Sequence, residues 1–87
     1  MSGGQDRRDE SLEARYANYL SVGNNSFEFL LDFGQFYPER DAPLVHTRIV
    51  TSPAYAKAFH KTIVESLDRY EQTYGPIGEP DEGEPPR

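Results

Sequence analysis

Four sets of residues in this chain have the types and spacing to do chemistry: Glu28 with Asp32, His46 with His60, the trio Tyr16-Ala17-Asn18, and eleven aromatic rings, six Tyr and five Phe. Glu28 and Asp32 lie on one face of an extended backbone but about 13 Å apart along it. A retaining glycosidase holds its two carboxyl groups at about 5 Å, so this pair does not match that chemistry. A cross-strand ion pair with Arg48 on a solvated sheet face is the plainer reading. His46 and His60, joined by Asp32, have the donor types of a metal site or an acid/base dyad. They meet only if the C-terminal helix packs on the sheet face that carries His46, and His60 borders that helix's apolar stripe, where a half-buried boundary residue is equally at home. Asn18 shares a face with Tyr16 and Leu20. Its amide is either a ligand contact or a structural hydrogen bond, and the second reading is favoured because buried polar groups are normally satisfied internally.

No nucleophile elbow, Gly-rich phosphate loop or H-E-x-x-H is present. The chain has no Cys, which removes thiolate metal sites, cysteine nucleophiles and redox switches. No catalytic residue, metal site or cofactor is expected, and the chain is read as a non-enzyme. The aromatic load carries the remaining functional signal. Tyr16, Tyr19, Tyr37, Tyr55, Tyr70 and Tyr74 cannot all be central in so small a domain, so some belong at an interface, where rigid rings give large contact area at small entropic cost.

The elements that would position these residues start from Ser26 to Tyr37, SFEFLLDFGQFY. Phe27, Phe29, Leu31 and Phe33 recur at spacing two and share one face of a buried strand, with Glu28, Leu30 and Asp32 on the other. Gly34 marks a bulge or a close approach. Before it, Ala14 to Val22 reads as a strand or, alternatively, a helical turn, with Tyr16, Leu20 and Val22 on one face and Ala17 and Tyr19 on the other. Gly23, Asn24, Asn25 and Ser26 then close a hairpin. The charged loop from Pro38 to Pro43 reverses the chain into a third strand, Leu44 to Thr51. There Val45, Thr47, Ile49 and Thr51 fall on one side, and Leu44, His46, Arg48 and Val50 on the other.

Ser52-Pro53 predicts a helix start, the hydroxyl accepting a first-turn N–H and Pro suiting the first helical position. Ala56, Phe59, Ile63, Leu67, Tyr70 and Tyr74 then form one stripe. Gly75-Pro76 ends it. Residues 1–13 and the acidic, Pro-rich 76–87 read as disordered tails around a single domain, 14–75. The expected fold class is α+β: a three-stranded antiparallel sheet, hairpin plus third strand, followed by one long amphipathic helix in two layers.

A core of about sixty residues is marginal, and without disulfides oligomerisation is the available remedy. One helix covers one sheet face, so a homodimer is expected through the other face or an edge, with Tyr19, Leu30 and Phe36 as the self-interface. The net charge is −6 and no segment is basic. Phosphate-backbone and anionic-membrane binding are therefore not expected. The opening MSGGQDRRDES has no apolar h-region, and no apolar run approaches spanning length, which points to a soluble cytoplasmic protein.

The segments ARYANYLSV, FEFLLDFGQ, RIVTSPAYAKAF and LDRYEQTYG together resemble a family of short bacterial and archaeal proteins known as domain of unknown function 3467. The likeness rests on Tyr16-Ala17-Asn18, Glu28-Phe29 with Asp32-Phe33, and Ser52-Pro53 with Ala56-Lys57, and spans Ala14 to Gly75. It implies a prokaryotic source and the same order of elements, and brings no activity with it. The functional expectation is a homodimeric protein-interaction or adaptor module that engages an unidentified protein partner by strand addition or groove binding. Three alternatives are a holdase-like chaperone, a nucleic-acid-binding sheet, and a ligand-binding protein or small enzyme around His46 and His60.

Overall fold

The computed structural model describes residues 11–80. Three strands, β1 (Tyr19–Asn24), β2 (Phe29–Gln35) and β3 (Leu44–Thr51), are followed by one helix, α1 (Pro53–Tyr74). The sheet is an antiparallel meander in the order β1-β2-β3. This is the expected α+β fold, and β3 and α1 lie where the sequence places them.

The hairpin is tighter and later than its sequence suggests. Asn24 is not a turn residue but the last residue of β1, paired with Phe29. The reversal is built by Asn25: its Oδ1 accepts the backbone N–H groups of Phe27 and Glu28 at 2.7 and 2.9 Å, and its own N–H donates to Glu28 O. An Asn side chain that mimics a backbone turn in this way takes Phe27 out of the strand, and the ring is almost wholly exposed. At its other end β2 stops at Gln35, short of Tyr37. The segment before Tyr19 is not strand either. It is held by Asn18, whose N–H donates to Gly34 O and whose Oδ1 accepts the Phe36 N–H at 2.8 Å.

Register sorts the side chains. Leu20, Val22, Phe29, Leu31, Phe33 and Ile49 belong to one face through the pairs Leu20↔Phe33, Val22↔Leu31 and Leu31↔Ile49. Ser21, Asp32 and Arg48 belong to the other, with Leu30 paired to Val50. The β2–β3 register slips between Phe33, opposite Thr47, and Gly34, opposite Val45, leaving His46 as the extra residue of a bulge. The simple alternation expected along this strand therefore fails at His46. The bulge puts it in one hollow with Phe33 and Thr47, away from Arg48.

Helix α1 starts as its sequence predicts. Ser52 Oγ accepts the Tyr55 N–H and Pro53 occupies the first turn. It ends at Gly75, whose φ of 102° lies in the left-handed region that favours glycine; the Gly75 N–H donates to Glu71 O, and the Glu71 carboxylate then accepts the Ile77 N–H. At 22 residues the helix is roughly 33 Å long, yet none of its residues is buried. Among the described residues only Gly34 and Gln35 are buried, and no apolar side chain is. The expectation that one helix would cover one sheet face is corrected here: helix and sheet lie side by side along an open cleft. The chain has an apolar face where a domain of its size would have a core.

Candidate functional site

The cleft is lined by Leu20, Val22, Phe29, Leu31 and Phe33 from the sheet and by Ala56, Phe59, His60 and Ile63 from α1, and encloses about 330 Å³. Alternation along β1 and β2 supplies the sheet side, and the three- and four-residue spacing of α1 supplies the helix side. Neither wall is covered. Leu20, Val22 and Ile63 are 51, 52 and 58% exposed. Exposed apolar surface of this kind is unusual on monomeric soluble proteins, where it accompanies interaction surfaces, ligand grooves or aggregation.

The chemistry-bearing residues fall elsewhere or into structural roles. Asp32 and Arg48 form the cross-strand ion pair expected of them, on the opposite sheet face, with Arg48 Nε and Nη2 donating to the two carboxylate oxygens at 2.7 and 2.8 Å. Glu28 takes no part in it. His46 has both ring nitrogens engaged: Nε2 donates to Tyr16 O at 2.9 Å, and Nδ1, 2.7 Å from Thr47 Oγ1, accepts the threonine hydroxyl in the neutral ring. Together with Arg15 Nη1, which donates to His46 O, this ring latches the segment before β1 to the bulge. The hollow beside it, about 290 Å³ between Glu13, Arg15, Ala17, Phe33, His46 and Thr47, thus has its one titratable ring occupied by the fold. His60 lies on the helix wall of the cleft. Among the described residues no three His, Cys, Asp or Glu side chains gather to hold a metal ion, and no described helix is long and apolar enough to cross a membrane. Asn18 serves the structural hydrogen bonds favoured for it.

Tyr19, Leu30 and Phe36 lie away from the cleft. Tyr19 and Phe36 touch edge to face with ring centres 5.4 Å apart, and Leu30 is half-buried beside Gly23 and Val50. The cleft face was within reach of sequence reading, since its residues alternate plainly. What was missing was any sign that the helix would leave them open.

The model of a family described as a protein of unknown function, DUF3467, matches residues 5–79. The chain belongs to this family. The resemblance drawn from Tyr16-Ala17-Asn18, Glu28-Phe29 and Ser52-Pro53 therefore holds, and with it the order of elements. No curated protein and no solved structure matches the chain. In this member of DUF3467 the Ser52-Pro53 pair is the helix cap, Asn18 the tie between the leading segment and β2, and Asp32 one half of the ion pair.

That ion pair sets one pH dependence. The hydrogen bonds from Arg48, reinforced by its charge, hold the Asp32 carboxyl below its ordinary range. A carboxyl depressed on folding contributes stability that is complete above its unfolded pKa and lost as pH falls through the folded one. Arg48 is 63% exposed, so solvent screens the pair and its contribution is small. An R48Q variant should show a slightly lower urea midpoint than wild type at neutral pH, and the two midpoints should converge as the pH falls below the carboxylate range. A constant gap across that range would mean that Arg48 acts through packing of its stem.

Proposed function

We propose that this protein is a non-catalytic interaction module that works through the apolar face formed by the sheet and α1. The observation behind this reading is the absence of any buried apolar side chain among the described residues, alongside an open apolar cleft. Folding must offset the ordering entropy of the chain by removing apolar area from water. A chain that leaves this much uncovered gains the missing burial from another body. Two of the polar groups singled out by the sequence, the ring nitrogens of His46 and the carboxylate of Asp32, are engaged by hydrogen bonds within the fold, which supports an apolar over a polar mode of action. The acidic balance, −6 over the whole chain, favours a protein over a nucleic acid as the other body. An adaptor or subunit role in a prokaryotic cytoplasm fits this picture.

A photo-activated crosslinking residue replacing Leu67, on the apolar stripe, tests the reading against the same residue replacing Glu65, on the opposite side of the helix. Irradiation in cells should give a covalent protein adduct from position 67 and little or none from position 65. Equal adducts from both, or none from either, would overturn the proposal.

A further inference from the structure

We infer that the body filling the cleft is a second copy of this chain, seated so that the distal half of each α1 lies on the sheet face of the other. The inference rests on the interaction-module reading and names its partner. Only the first three turns of α1, through Ile63, line the cleft with their own sheet. Beyond Ile63 the stripe runs on for roughly 16 Å through Leu67, Tyr70 and Tyr74, half to three-quarters exposed, the last two rings tilted at 43° with centres 4.8 Å apart. From His60 the spacing alternates three and four, His60, Ile63, Leu67, Tyr70, Tyr74, the pattern of a seam that packs against another element.

The chain thus carries two unsatisfied surfaces of complementary kind, a sheet face short of a helix and a helix stripe short of a sheet. A twofold exchange satisfies both at once, because in an isologous contact each copy offers what the other lacks. A different partner would have to supply a helix-like and a sheet-like apolar surface in a single body. The area agrees. The exposed parts of Leu20, Val22 and Ile49 with those of the stripe amount to on the order of 800 Å² per chain, the size of one side of a standard stable interface. Polarity agrees as well: the residues lining the cleft include no Asp, Glu, Lys or Arg, so no acidic or strongly basic side chain of these walls is buried when two copies close.

The test uses the full chain. Sedimentation equilibrium over a wide dilution series should give twice the 9.9 kDa chain mass, and L67E should shift the mass to one chain. Because L67E is open to simple misfolding, a second measurement fixes the geometry. The chain has no Cys, so V22C and L67C, prepared separately, mixed and treated with a short bismaleimide, should bridge sheet to helix between chains. A dimer in which V22C and L67C do not bridge, while T47C chains bridge to each other, would be a β3 edge-to-edge assembly and would overturn the exchange. A folded monomer with full helix content would overturn both this inference and the interaction reading. An unfolded or molten monomer at high concentration would overturn the second copy alone, leaving a different protein as the partner.

Discussion

Replacing Gly34 by alanine should destabilise the protein by about 3 kcal/mol, a large share of the total for a domain this small. A Cβ at this position would stand 2.5 Å from Leu44 O and 2.9 Å from Val45 Cα. Both are backbone atoms of the neighbouring strand at the bulge, so no rotamer change relieves the clash. Either β3 moves away from β2 or the bulge unwinds, and with it goes the position of His46. Gly23→Ala is the matched control. Gly23 also sits in a strand, but a Cβ there meets nothing within 4 Å, so alanine should be neutral or stabilising through the reduced freedom of the unfolded chain. Urea unfolding of the two variants beside wild type reads both effects. Equal midpoints for the two would show that the close approach at Gly34 has no energetic weight.

Stability should also depend on protein concentration. Where two chains supply one another's core, unfolding is coupled to dissociation, and each tenfold dilution removes about 1.4 kcal/mol per dimer. With a denaturant slope in the ordinary range for small proteins, the urea midpoint should fall by roughly half a molar per decade of dilution. The same dependence should vanish in any variant that sediments as a folded single chain. A wild-type midpoint that stays constant over the series would mean that one chain holds itself together despite its open face, and would remove the main support for self-assembly. The two expectations are separable: Gly34 acts within the sheet of one chain, whereas dilution acts between chains.

Local rules carry far in this protein because several of its elements are decided locally. Ser52-Pro53 sets the helix start through a cap and a preset φ, and Gly75 sets its end through a positive φ, so both termini of α1 are written in residues next to them. Alternation puts Leu20 with Val22 and Phe29 with Leu31, and the charges of Asp32 and Arg48 find each other once the strands pair. The turn is less legible. Gly23, Asn24, Asn25 and Ser26 are all turn formers by composition, and what selects Asn25 is one side-chain oxygen capturing two N–H groups, which shifts Asn24 into β1 and Phe27 out of β2.

Tertiary structure decided the rest. The slip at Gly34 depends on how closely two strands approach, and it moves His46 from the Arg48 side to a latch on Tyr16 O, a change no periodicity along β3 announces. Above all, the sequence by itself determined that α1 has an apolar stripe and the sheet an apolar face, since side-chain type and spacing are local properties. That the two do not close on one another is a matter of the path of α1 after Ser52. That path leaves Leu67, Tyr70 and Tyr74 in the open. Burial is a relation between distant surfaces, so only the assembled fold reveals that this chain has the two halves of a core and has not joined them.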